Sequence, residues 1–381
     1  MKISTISFTG RIIDAHVHSG NWWRQSTLYD HTNDIDTFTR QTLPNGDNVE
    51  KVVVSNLDCM VRVEHPGESA KFLMNELDGN RRLLEIAKGN PKIIPLATCQ
   101  PGYGNIENIE TLFRENPSKF AGLKFHSEQL AIPADSEVYN PYMEFAQKQK
   151  LPCLFHSGQT YDSAQGIATT VSKPEQIYRI ARRYPDIPVI MAHLGGNSPE
   201  NAMAAVDCII QSIKNNNSKL YADISWIDCD NPEKPILREV IKRLKSENAL
   251  DRIMFGTDAP IGRFGFWGEN YVKPIDAYTN NIKEIKNMIT IHFGEEAEEI
   301  IDKIFYKNAN DLFIERNWLP QIESSKSANN SSFKGKLGII TGIIVACLGV
   351  FGLNKANKHL QPEKSQESIV VTTAQQPTIN N

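Results

Sequence analysis

Two imidazoles one residue apart open the chemistry of this chain. They lie in "RIIDAHVHSG", residues 11–20, as His16 and His18. The stretch reads as a buried strand, and alternate side chains of a strand share a face. Asp14, His16 and His18 are therefore expected on one face, with Arg11, Ile13, Ala15 and Val17 on the other. Burying three bare polar groups is costly, and a metal ion is the natural partner for two imidazoles at this spacing. Further polar residues end other apolar runs: Lys124, His126 and Glu128 in "GLKFHSE", His156 in "LPCLFHSGQ", His193 in "IPVIMAHLGG" and Asp258 in "DRIMFGTDAP". A lone strand histidine is ordinarily a satisfied core residue; the coincidence of all of them at run ends is what points to a site. Imidazole with carboxylate, and no thiolate in position, suits Zn2+, with Mn2+ or Fe2+ as alternatives. Such an ion lowers the pKa of a water toward about 7, and a neighbouring histidine or aspartate can manage the proton.

The elements that must position these residues follow from the alternation of textures. Eight short apolar runs, "RIIDAHVHS", "VEKVVVSNL", "KIIPLATCQ", "FAGLKFHSE", "LPCLFHSGQ", "IPVIMAHLGG", "KLYADISWI" and "DRIMFGTDAP", are separated by charged helical segments such as "NELDGNRRLLEIAKGN" and "SKPEQIYRIARRYPD". Strand–helix alternation means parallel pairing with right-handed crossovers. Eight such units predict an α/β protein with a (β/α)8 TIM barrel, whose site lies at the C-terminal ends of the strands. An open doubly wound sheet would want a glycine-rich phosphate turn after the first strand. "HSGNWWRQ" is not one, and "GRFGFWG" opens no evident βαβ unit. The first connection, residues 19–48, is long for a compact domain. Its Trp22 and Trp23 could line a pocket mouth or simply cover the barrel top. Specificity is expected from this loop and from residues 260–272.

The chain has 381 residues, 40% hydrophobic and 23% charged, with a formal charge of −4. That balance offers no electrostatic footprint for nucleic acid. The six cysteines form no CxxC and read as buried free thiols in a reducing compartment. The N-terminus lacks the apolar core of a secretory signal. "LGIITGIIVACLGVFGL", Leu337 to Leu353, carries no charge and is flanked by lysines. As a helix it would run ~25 Å against a hydrocarbon core of ~30 Å. The expected organisation is a barrel over 1–320, a linker over 321–336, a transmembrane helix over 337–353 and a disordered polar tail over 354–381. A barrel anchored on the cytoplasmic side is the expectation, with a soluble cytoplasmic protein as the alternative. Gly338 and Gly342 form a GxxxG that would allow helix pairing, and so a homo-oligomer.

The order DxHxH, "GLKFH", "FHSG", "AHLGG", "GTDAP" and the ending "YKNANDLF" resembles the amidohydrolase superfamily, in particular the amidohydrolase-related branch of aminocarboxymuconate-semialdehyde decarboxylase type. The resemblance covers roughly Ile12 to Phe313. It implies that His16, His18, His156 and Asp258 hold the metal, that Asp258 also shuttles a proton, and that His193 acts beside the reacting water or as a ligand of a second ion. Lys124 is ambiguous: carboxylated, it would bridge two ions; unmodified, it would contact a substrate carboxylate or form an ion pair. One ion is the favoured count. The TatD-type deoxyribonucleases also begin with HxH but would want a glutamate where Lys124 stands. Arg263 is placed to meet an anionic substrate, although a solvated loop arginine fits equally. His126 and Glu128 would face the mouth or bond structurally, and Asp223 and Ser225 would belong to the polar rim. His31, His65 and His292 lack strand-end placement and read as surface or packing residues.

Three activities are compatible with these residues: a metal-dependent hydrolase of a C–N or C–O bond in a small molecule, a metal-dependent decarboxylase on the same scaffold, and a non-catalytic, membrane-tethered barrel. Fold alone does not choose among them.

Overall fold

The computed structural model describes residues 10–24, 27–62, 71–158, 170–196, 198–227, 236–259 and 274–319. Eight parallel strands form one sheet: β1 (Arg11–Ser19), β2 (Asn48–Asn56), β3 (Ile93–Thr98), β4 (Gly122–Phe125), β5 (Cys153–Phe155), β6 (Pro188–Met191), β7 (Lys219–Asp223) and β8 (Ile253–Met254). Each neighbours the next in sequence order. The edges meet where Ala15 N donates to Phe255 O (2.9 Å), Asp258 N to His16 O (2.8 Å) and His18 N to Ala259 O (2.7 Å). The strands thus make a nearly closed barrel, as expected from the eight runs.

A helix follows every strand: α1 (Asp34–Thr39), α2 (Glu76–Gly89), α3 (Ile106–Glu115), α4 (Asn140–Gln149), α5 (Pro174–Arg183), α6 (Pro199–Lys214), α7 (Ile236–Ser246) and α8 (Pro274–Phe293). Their starts are set locally. Asn75, Asn105 and Ser198 each accept a first-turn backbone N–H with the side chain, which satisfies donors a helix leaves open. Pro174 and Pro199 occupy first-turn positions where no N–H is needed. Helix α8 packs back on α1, closing the outer ring.

The core has two layers. Ile12, Val17, Val52, Val54, Leu123 and Val189 face outward to the helices. Ile13, Ala15, Val53, Leu96, Leu154, Ile190 and Met254 fill the barrel, plugged by Leu312 and Phe313 from the C-terminal turns. This interior apolar plug leaves only the C-terminal strand ends for polar groups.

The long first connection contains an antiparallel hairpin, Asn21–Arg24 against Thr27–Asp30, before α1. Asp58 ties it down by accepting from Asn21 N and Nδ2 at 3.1 and 2.7 Å. The side chains of Trp22 and Trp23 lie outside the described residues, as do Arg263, His65, Cys229 and the whole stretch Leu337–Leu353. Among the described residues no helix is long and apolar enough to cross a membrane, so the fold lends the anchored reading no support. Cys59, Cys99, Cys153 and Cys208 are buried and free.

Candidate metal centre

Strand β1 does not keep strict alternation. Asp14 pairs with Val52 of β2, but the next paired residue, Val17, faces Val54. One extra residue on β1 makes a bulge, and a bulge re-aims the side chains beyond it. Ala15 therefore still faces the barrel plug, Val17 faces the helices, and His16 and His18 turn into the mouth. The expectation that Asp14 shares their face is corrected by this bulge. Asp14 accepts instead from Tyr278 OH of α8 (3.0 Å) and from Thr257 Oγ1 (2.5 Å) and N (3.0 Å). It braces β1 against the segment carrying Asp258, and burial pushes its pKa up to about 7.

At the mouth, Asp258 Oδ1 lies 2.8 Å from His18 Nε2 and 3.2 Å from His16 Nε2. Its other oxygen accepts from Trp226 Nε1 at 2.5 Å. His18 Nδ1 meets Ser55 Oγ at 2.9 Å, which leaves Nε2 for the centre. Lys124, fully buried on β4, donates from Nζ to His16 Nε2 at 2.9 Å. On the other side of His16, Nδ1 stands 3.0 Å from Asp223 Oδ2.

His193 and His156 form a second pair, with His193 Nε2 and His156 Nδ1 3.2 Å apart. His193 Nδ1 meets Ser225 Oγ at 2.8 Å, and its ring stacks on His16 with centroids 5.0 Å apart. His156 Nε2 is buried with no hydrogen-bond partner among the described residues, and His126 stacks on its ring at 3.9 Å. The turns bearing this pair touch backbone to backbone. A Cβ added to Gly158 would stand 3.0 Å from Gly196 Cα, so "FHSG" and "AHLGG" need a glycine at the contact.

The backbone here is strained. His193, Trp226 and Asp258 have φ of 57°, 63° and 58°, a region that costs a non-glycine residue about 1–3 kcal/mol and clusters at functional sites. The electrostatics are set by burial and by imidazoles packed against carboxylates. Burial lowers His18 to about 4 and His193 to about 3, and pushes His126 and His156 well below the usual histidine range. Burial works against the Asp258 charge, but His16, His193 and His18 outweigh it and hold the carboxyl well below its usual range. Burial lowers Lys124 to about 8 against the pull of Asp258 and Asp223.

This donor set fits a divalent ion. Ligand atoms of a tetrahedral site with bonds of ~2.1 Å are about 3.4 Å apart. His16, His18 and Asp258 are buried and have one ligand atom each within 4.8 Å of the others. Two ring nitrogens gather on one carboxylate oxygen, and among the described residues His156 Nε2 has no hydrogen-bond partner. His156 stands beside His193 rather than within the trio.

Of the other expected residues, His126 caps the short helical turn Ser127–Leu130 by accepting Gln129 N at 3.2 Å. Glu128 accepts Ser172 N at 2.7 Å and so fixes the chain entering α5. His31 is buried against Asp34 at 2.7 Å. The residues underrated in sequence are Asp223, Ser225 and Trp226. Their signal was present: Asp223 and Ser225 share parity at the end of an apolar run, as His16 and His18 do.

Residues 67–313 match the model of a family described as Amidohydrolase. The chain belongs to the amidohydrolase family. This member has no matching curated protein. Among solved structures it is similar to an amidohydrolase from Burkholderia multivorans with bound zinc, at 12% identity, covering 79% of this chain and 98% of that one, TM-score 0.46. It is also similar to 5-carboxyvanillate decarboxylase from Novosphingobium aromaticivorans complexed with manganese and a nitrobenzoic acid, at 14% identity, covering 71% and 77%, TM-score 0.45. A third is 2,6-dihydroxybenzoate decarboxylase complexed with 2,6-dihydroxybenzoate, at 17% identity, covering 80% and 98%, TM-score 0.48.

Proposed function

We propose that this amidohydrolase-family member is a metal-dependent hydrolase that uses water to cleave a C–N or C–O bond of a small molecule. The observation that carries the reading is the convergence of His16 Nε2 and His18 Nε2 on one oxygen of Asp258, at 3.2 and 2.8 Å. His16, His18 and Asp258 would hold one divalent ion, Zn2+ first by donor type, with His156 Nε2 the further donor that lacks a partner. When bound, the ion supplies Lewis-acid polarisation and a more acidic water.

The chain's own residues supply the rest. Asp258 is strongly acidic and held at Oδ2 by Trp226. Its carboxylate accepts a proton from the attacking water as the new C–O bond forms and returns it to the leaving nitrogen or oxygen as the C–N or C–O bond breaks. His193, neutral and held by Ser225, steadies charge that develops on the substrate in the transition state.

One observation favours a second reading, decarboxylation. The fully buried Lys124 puts an ammonium in the mouth, where it could hold a substrate carboxylate while the C–C bond breaks, carbon dioxide leaves and a proton reaches the carbon. Similar structures in the comparison include decarboxylases as well as an amidohydrolase. Turnover in oxygen-18 water separates the two. Label in the organic product supports hydrolysis; carbon dioxide release with no label in the organic product overturns it in favour of the lyase. Metal analysis of protein purified without chelator tests both, since an empty site removes either.

A further inference from the structure

We infer that Asp223 is a positioning residue that sets the tautomers of His16, His193 and His156, so that Nε2 of His16 and of His156 is each left without a proton. The inference rests on the proposed metal site for its purpose, but not for its geometry.

His16 is constrained from both sides. Lys124 is a donor, and its Nζ lies 2.9 Å from His16 Nε2. Of the two groups at Nε2, Lys124 Nζ and Asp258 Oδ1 at 3.2 Å, only Lys124 is in hydrogen-bond geometry, so Nε2 accepts and the ring proton is left to Nδ1. That nitrogen lies 3.0 Å from Asp223 Oδ2, a close approach outside ideal hydrogen-bond geometry, and neither atom has a hydrogen bond elsewhere among the described residues. The close approach is built in: a Cβ on Gly256 would stand 3.1 Å from the Cβ atoms of both His16 and Asp223.

The other oxygen governs the second pair. Asp223 Oδ1 accepts from the backbone N–H of His193 (3.0 Å) and of Ser225 (3.1 Å) and from the Ser225 hydroxyl. Having given its only proton to Asp223, Ser225 Oγ can only accept from His193 Nδ1, 2.8 Å away. His193 Nε2 is then bare and accepts from His156 Nδ1 at 3.2 Å. The proton of neutral His156 is thereby fixed on Nδ1, and Nε2, the atom without a partner, is left as a lone pair. One carboxylate on β7 thus orders three rings contributed by β1 and by the turns after β5 and β6. A partner beyond a ligand that fixes ring and tautomer is worth about 10–100-fold in metal affinity.

Asp223→Asn tests this. Two backbone N–H groups point at Oδ1, so the amide oxygen takes that place and the amide NH2 faces His16 Nδ1. His16 must then accept there and carry its proton on Nε2. In the metal-free wild type, nitrogen-15 spectra of labelled histidine should show His16, His193 and His156 all protonated on Nδ1. In Asp223→Asn, His16 should switch to the Nε2–H form, and zinc affinity measured by chelator competition should fall about 10–100-fold. Ser225→Ala should leave His16 unchanged while His193 and His156 lose their single tautomer. Wild-type rings protonated on Nε2, or an Asp223→Asn variant with unchanged tautomer and zinc affinity, would overturn the inference. If the Asn variant does not fold, the wild-type spectrum and Ser225→Ala still decide. Absence of zinc binding by the wild type would instead overturn the metal reading, because the tautomers are read without metal.

Discussion

Glu76 and Asp258 are both buried carboxylates on the C-terminal side of the strands, yet they are built for different purposes. Glu76 accepts from Gln100 N (2.9 Å) and Asn105 N (2.7 Å), with Tyr142 OH at 3.3 Å from either oxygen. Backbone donors keep their protons at any working pH, so the cluster pins the chain between β3 and α3 to the start of α2. Asp258 meets two imidazoles and an indole N–H, on a residue held in the left-handed region. Its partners can trade protons or bind a cation. The difference teaches that burial of a carboxylate says little by itself; the chemistry of the donors around it separates a fastening from the working group proposed at Asp258.

Four experiments break or sharpen that contrast. The largest effect is expected at the centre: stripping metal with chelator, or Asp258→Ala, should lower turnover by about 1000-fold or more, because the ion's charge stabilisation is lost. Metal analysis should show the ion gone in the Ala variant, and full activity there would refute the assignment. Next, His193→Asn should keep a single ion and lose about 10²–10⁴-fold in turnover. A fall from two ions to one would instead support a two-ion centre and call for a check of Lys124 carboxylation. Third, Trp226→Phe keeps the ring but removes the N–H that holds Asp258. A hydrogen bond to a charged group contributes about 1.5–3 kcal/mol, so a loss of about 10- to 100-fold in kcat, with metal retained, is the expected result.

The smallest effect on activity should come from Glu76→Gln, since nothing there touches the centre. Its cost falls on stability instead, about 1–3 kcal/mol by denaturant unfolding, because the amide NH2 must face a backbone N–H. The pH dependence has a definite sign. Burial raises the Glu76 pKa in the folded state despite its hydrogen bonds. A raised carboxyl binds its proton more tightly when folded, so its contribution is full below the unfolded value and fades as pH rises through the folded one. The stability gap between wild type and Glu76→Gln should therefore narrow as pH rises across that window; a gap that widens would contradict the assigned environment.

Much of the framework could be read from residue order. All eight apolar runs became barrel strands, because a strand buried on both faces leaves a nearly continuous hydrophobic record. His16, His18 and Asp258 could be gathered in advance because they end such runs, and strand ends in a barrel share one mouth. Asp14 was misassigned because a bulge leaves no mark in composition: the extra residue between Asp14 and Val17 appears only in the pairing with β2. In sequence Asp223 and Ser225 read as rim residues, because a lone carboxylate in "KLYADISWI" looks like any strand-end polar group. Its partners, His16 and the His193 backbone, are remote in sequence and meet it only across the closed barrel. Glu76 shows the same limit from the other side, since its donors are backbone amides that no side-chain pattern records.

The bare contact between Gly158 and Gly196 has a practical corollary for redesign. The turns after β5 and β6 are a single cassette: no side chain fits at either position without parting them, and the parting would pull His156 from His193. A transplant of one turn from a relative, or a library that randomises one position alone, would spoil the ring pair whatever its merits elsewhere. New specificity in this scaffold is better sought by exchanging both turns together or by leaving both untouched.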